Sequence, residues 1–177
     1  MVKIESYSDI CRDFNMEMDT NSIGVSGENI AKAIIEFFPI FRVVFMGDKN
    51  PITDFYVEIS NNKEKPYPFL MQIKTTTSDL DDKGCLCVKV PNDKYQALCH
   101  KPIPTYVGGV SLEDQSLFIK PAFDDSKHVN SISPDLVITT KDKRDCATKL
   151  IKIQRDVINY WDTLNTSDFK QNYQSLI

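Results

Sequence analysis

Asp54 lies in one apolar stretch, and Gln72, Ile73 and Lys74 lie in another, 18 residues further on. Thr53-Asp-Phe-Tyr-Val-Glu-Ile59 alternates in character, which predicts a strand with Asp54, Tyr56 and Glu58 on one face. Phe69-Leu-Met-Gln-Ile-Lys-Thr75 predicts a second strand, with Gln72 and Lys74 sharing a face. The polar, proline-bearing segment 61–68 reads as the loop of an antiparallel pair. Pairing these strands gathers a carboxylate, an amide carbonyl and an ammonium on one patch. Hard divalent cations prefer oxygen ligands, and a phosphoryl group is stabilised by a cation beside it. The pattern therefore points to Mg²⁺ or Mn²⁺ on Asp54, Gln72 and the Ile73 backbone carbonyl. Lys74 would orient an attacking water or stabilise the charge of the transition state.

Each of these residues also has a plainer reading. Asp54 fits an exposed position on an edge strand, Gln72 a solvated strand residue, and Lys74 a lysine whose stem covers apolar surface at a strand end. Glu58 shares Asp54's side of its strand but lies about 13 Å away at ordinary strand rise, too far for the same ion. Lys149, Lys152 and Arg155 on a C-terminal helix, and Lys63 and Lys65 before the Gln72 strand, are candidate phosphate contacts. A solvated face explains them as well. Tyr160 and Trp161 read as packing groups, and His100 and His128 join no motif.

The elements that must position the Asp54 group follow from periodicity. A short helix is predicted over Ser8–Met18, then a loop over Thr20–Gly27 with Ser26 as cap of the next helix. That helix carries Ile30, Ala31, Ile34, Ile35, Phe37 and Phe38, and Pro39 ends it. Phe41–Met46 reads as a buried strand, and Cys85–Val90 as a short one. Asn92 caps a helix to about His100, and strands follow over Thr105–Val110 and Ser116–Lys120. Residues 121–140 are irregular or hold short elements. A last helix runs from about Lys141 to Leu164, with Ala147, Leu150, Ile151, Val157, Ile158, Trp161 and Leu164 as its apolar stripe. The expected fold class is α/β, with a mixed sheet of four to six strands flanked by helices. The expected organisation is an N-terminal segment 1–22, one domain over 23–164 and a polar tail 165–177.

With 177 residues, 41% hydrophobic and 26% charged, the chain has the composition of a globular domain able to bury a core. No apolar run approaches a membrane span, and the first residues lack the apolar core of a secretory signal, so a cytoplasmic protein is expected. The five cysteines are odd in number and scattered, against a disulfide framework. Cys85, Cys87 and Cys99-His100 lack a Cys-x-x-Cys pair and read as ordinary thiols before zinc ligands. A net charge of −4 argues against a broad electrostatic grip on nucleic acid but leaves a locally basic site open. There is no Ser-His-Asp set, phosphate-binding loop or dinucleotide fingerprint.

The ordered set of Gly27-Glu28-Asn-Ile-Ala, Asp54, Gln72-Ile73-Lys74 and, more weakly, Pro104-Thr-Tyr-Val107 resembles the PD-(D/E)xK nuclease superfamily. The similarity is to the branch with Gln-x-Lys, seen in Mrr-like restriction enzymes and an allied bacterial domain family of unknown function, and it spans roughly residues 24–120. Thr53 stands where the pattern has Pro, and Gln72 replaces an acid, which removes one metal-binding charge. The resemblance implies a restriction-endonuclease-like core, with Glu28 approaching the site of Asp54, Gln72, Ile73 and Lys74. It implies a Mg²⁺- or Mn²⁺-dependent endonuclease acting on nucleic acid, with DNA as the expected substrate, in bacterial restriction or antiviral defence. A homodimer is the expected way to make two cuts, and a protein partner in a defence system is a further expectation. The alternative is a nuclease fold without catalysis, serving as a nucleic-acid-binding or protein-interaction subunit.

Overall fold

The computed structural model describes residues 19–47, 50–60, 67–122 and 129–164. The first described helix, α1 (Thr20–Ile35), starts earlier than the sequence predicts. Asp19 accepts the Ser22 N–H at 2.8 Å, so an aspartate one turn before Ile23 supplies the cap in place of Ser26. Residues Thr20–Gly27 are thus helical, not a loop, although Gly24 and Gly27 are poor helix formers. Gly27 offsets that cost by close packing. A Cβ there would lie 1.9 Å from Thr75 Oγ1, so only glycine lets α1 cross this tightly. The predicted helix at Ser8–Met18 lies outside the described residues.

Strands β1 (Phe41–Phe45), β2 (Phe55–Ile59) and β3 (Pro68–Thr76) form an antiparallel meander. The chain then crosses over through α2 (Asn92–Cys99) to β4 (Thr105–Ser111), which runs parallel to β3. β5 (Ser116–Pro121) and β6 (Val137–Ile138) complete a six-stranded mixed sheet in sequential order. Three sequence expectations are corrected here. β1 is an edge strand, with Val44 and Phe45 40% and 55% exposed, because among the described residues only β2 pairs with it. Residues 85–90 form two isolated bridges, Leu86 to Ile132 and Val90 to Val129, in place of a strand. Pro91, not Asn92, holds the cap position of α2 and makes no side-chain cap.

The last helix, α3 (Lys143–Thr163), begins at Asp142, whose carboxylate accepts the Arg144 and Asp145 N–H groups at 2.9 and 3.1 Å. It buries Cys146, Leu150, Ile153 and Val157. The apolar pattern permits more than one helical face; packing selects the one with Cys146 and Ile153, leaving Ile151 and Leu164 exposed. Trp161 Nε1 donates to the Pro68 carbonyl at 2.8 Å, tying α3 to the start of β3.

Alternation divides the sheet into two apolar faces. Phe55, Val57, Phe69, Met71 and Ile73 join one core with residues of α1 and α3. Val107 and Phe118 join a second with Tyr95 and Leu98 of α2 and with Leu86 and Ile132. Helices cover both faces, and the fold is α/β as expected. No helix among the described residues is long and apolar enough to cross a membrane.

Candidate active site

Asp54 sits just ahead of β2, where the meander opens. The Asn50 side chain accepts the Ile52 and Thr53 N–H groups at 3.1 and 3.2 Å, turning the chain into the strand. The Asp54 N–H donates to the Met71 carbonyl at 2.9 Å, and its carbonyl accepts from Met46 at 2.8 Å. Its backbone is thereby pinned between β1 and β3. The register pairs Phe55 with Met71, so Asp54 falls beside Gln72. β2 provides no ladder partner for the Ile73 N–H, and the Asp54 carboxylate takes its place: Oδ2 accepts that N–H at 2.5 Å.

The same Oδ2 accepts from Gln72 Nε2 at 2.6 Å, and Nε2 also reaches the Ile73 carbonyl at 3.2 Å. Gln72 is 5% exposed, a buried amide satisfied by these two oxygens. The predicted grouping of Asp54, Gln72 and Ile73 is therefore present. One detail differs: the amide nitrogen of Gln72, not its carbonyl, faces Asp54. An anionic oxygen attracts an N–H and repels a carbonyl.

Burial raises the Asp54 pKa above its ordinary value, while the Ile73 N–H and the charges of Lys74 and Lys94 pull against it without cancelling it. Lys74 is half-buried two residues after Gln72, as expected from the alternation. Lys94, in the first turn of α2, is a cation that sequence reasoning missed. No spacing motif connects it to Asp54; the crossover that lays α2 against the sheet does so.

Glu28 lies in the middle of α1, half-buried beside the Gly27–Thr75 contact and next to the Lys74 end of β3. A helix capped at Ser26 would put Glu28 in its first turn, where the helix dipole favours a carboxylate. With eight helical residues before it, Glu28 has no such role. Glu58 pairs with Pro68 at the other end of β2, away from this group. Lys149 is engaged with Asp145 at 2.6 Å, and Lys152 and Arg155 are exposed. Lys63, Lys65 and His128 lie outside the described residues.

Comparison with protein-family models, curated proteins and solved structures gave no match.

The implied divalent cation can be tested against these donors. Among the described residues, no three His, Cys, Asp or Glu side chains gather around one point. The oxygens available are of another kind: one carboxylate, one backbone carbonyl and one amide. Asp54 Oδ2 and the Ile73 carbonyl already converge on a single atom, Gln72 Nε2. Turning that amide would offer an oxygen in its place, and a cation would then remove the repulsion that now selects nitrogen. Hard oxygen donors with a single protein charge fit Mg²⁺ or Mn²⁺ that keeps several waters. Cys85, Cys87, Cys99 and Cys146 are free thiols.

Proposed function

We propose that this protein is a metal-dependent endonuclease of the PD-(D/E)xK type, hydrolysing phosphodiester bonds in DNA. The observation that carries the reading is the meeting of the Asp54 carboxylate and the Ile73 carbonyl at the Gln72 amide, on the strand that presents Lys74. The element order supports it: helix with Gly27-Glu28, strand after Asp54, Gln-x-Lys strand, helix, then a strand parallel to the Gln-x-Lys strand.

Asp54, Gln72 and the Ile73 carbonyl would hold Mg²⁺ or Mn²⁺, with Glu28 assisting. The ion, when bound, supplies an acidified water and neutralises phosphate charge. Asp54 contributes a negative charge that attracts it, and its desolvation makes that charge costly until a cation arrives. Lys74 orients the attacking water and stabilises the charge that develops on the phosphoryl oxygens. Lys94 adds positive potential on the Asp54 side and would help seat the phosphate. The setting we infer is cytoplasmic, in bacterial restriction or antiviral defence. A homodimer would place two such sites on a duplex, and the same reading includes a protein partner in a defence system.

A second reading has its own observation. The Gln72 N–H already satisfies Asp54, as it would in a nuclease fold retained for binding nucleic acid or protein. Plasmid, linear duplex and single-stranded substrates incubated in Mg²⁺, Mn²⁺ or EDTA separate the two. Cutting that needs the metal and is lost in Lys74→Ala supports the nuclease. An intact, folded wild type that cuts nothing under either metal sinks it and favours the binding module.

A further inference from the structure

A cavity lies at the other end of β4 from Lys74's neighbour, Gly109. It measures about 630 Å³ and opens where the segment after α2 enters β4 and where β5 ends. This is the size range of sites for cofactors and nucleotides. Its walls are preformed. The Pro104 carbonyl accepts the Leu70 N–H at 2.9 Å, and the Thr105 carbonyl accepts the Ala122 N–H at 2.8 Å, so both sides are sewn to the sheet. Tyr106 is 7% exposed and packs edge-on to Phe69, with ring centroids 5.5 Å apart. Tyr160 is held edge-on to Trp161 at the same distance.

Among the described residues, two opposite charges line this largely apolar space: Lys101 and Asp156. Asp156 also borders a shallower groove along α3 that carries Lys152 and Arg155. The chemistry required of an occupant is therefore specific. It needs a flat body for the tyrosine and proline walls, N–H donors for a carboxylate, and an anionic group for Lys101. A carboxylate only accepts hydrogen bonds. The pairing edge of guanine presents two adjacent donors, whereas that of adenine sets an acceptor beside a donor and would repel it. Burial, with the nearby Asp156 charge, pushes the Tyr106 phenol well above the ordinary tyrosine range.

We propose that this cavity binds a guanine nucleotide, with the base on Asp156 between the aromatic and proline walls and the phosphate on Lys101. The nucleotide is either free or the end of a nucleic-acid strand; the chemistry is shared. The site is separate from Asp54 and does not rest on the nuclease reading.

Calorimetric titration of the full chain, without divalent cation, tests this with GMP, guanosine and AMP. GMP should bind at least about tenfold more tightly than AMP, the scale of one charge-assisted hydrogen-bond pair. Asp156→Asn should erase that preference. Lys101→Ala should bring GMP down to the affinity of guanosine. Circular dichroism checks that both surface variants fold, and Lys74→Ala should bind GMP like wild type. A short single strand ending in G that competes with GMP identifies a strand end as the source; failure to compete identifies the free nucleotide. The proposal is overturned if wild type binds none of the probes at millimolar concentration, if GMP and AMP bind equally, or if both variants bind GMP unchanged.

Discussion

Two carboxylates in this molecule make the same local bond with opposite electrostatic results. Glu36, following α1, accepts the Val43 N–H on the open side of β1 at 2.8 Å. Asp54 accepts the Ile73 N–H on β3 at 2.5 Å. Each carboxylate stands in for a missing strand. Around Glu36, burial raises the pKa but is outweighed by the Val43 N–H and by Lys32 and Arg42, so the net value is lowered. Lys32 lies 3.1 Å from Glu36 and also donates to the Val43 carbonyl at 3.1 Å. The pair thus occupies both outward-facing groups of Val43 and blunts the sheet edge against another strand. Around Asp54, burial wins and the pKa is raised, since Lys74 and Lys94 act without closing an ion pair. A neutralised, half-solvated acid completes a fold. An acid set deeper in the sheet, whose desolvation outweighs Lys74 and Lys94, has the electrostatics that binding and catalytic sites use.

The largest test of this contrast is activity. Asp54→Ala should lower DNA cleavage by on the order of a hundredfold or more, the scale of losing a metal-binding or charge-stabilising group, while Glu36→Ala should cut normally. Equal loss in both would break the contrast.

Next in size is the packing that sets α1 on the sheet. Gly27→Ala places a methyl against all three side-chain atoms of Thr75 nearest to it, at 1.9, 2.6 and 2.7 Å. Rotation of Thr75 cannot relieve this, so the variant should lose about 2 kcal/mol in urea denaturation despite the better helix propensity of alanine. A gain in stability would show that α1 does not approach β3 this closely.

Removing charge without volume should then move the two acids in opposite directions. Asp54→Asn can keep both hydrogen bonds with its amide oxygen in the place of Oδ2, and it drops a desolvated charge, so it should gain about 1 kcal/mol at pH 7 while losing cleavage. Glu36→Gln should lose about 0.5 kcal/mol, since the Lys32 pair is partly exposed and screened.

The smallest effect sharpens the same pair through pH. The Asp54 pKa is raised from 3.8, so its favourable contribution is complete below 3.8 and is lost as pH rises through the folded value. The Glu36 pKa is lowered from 4.5, so its contribution is complete above 4.5 and is lost as pH falls through the folded value. The stability difference between Asp54→Asn and wild type should therefore grow from about pH 4 upward, and that for Glu36→Gln should vanish in acid. Parallel curves for the two variants would show that the acids share one environment.

Much of this site was legible before the fold. Alternation around Asp54 and Gln72 specified which side chains share a face, and two residues of spacing put Lys74 beside Gln72. The start of α1 was not legible in the same way. Two glycines argued for a loop, but a contact with Thr75, nearly fifty positions away in the chain, made one of them the right residue for a helix. The stripe of α3 was blurred for a related reason: several apolar faces were available, and only packing chose among them.

By itself, the sequence determined the α/β class, the antiparallel pairing of the Asp54 and Gln72 strands and the chemical types gathered there, because side-chain period and turn residues act locally. The tertiary structure decided the rest. It turned the Gln72 nitrogen toward Asp54, brought Lys94 to the same charge, exposed β1 as an edge, and joined Lys101 to Asp156 around one cavity. Burial, charge compensation and the meeting of distant segments depend on where the whole chain lies, and no local pattern carries that information.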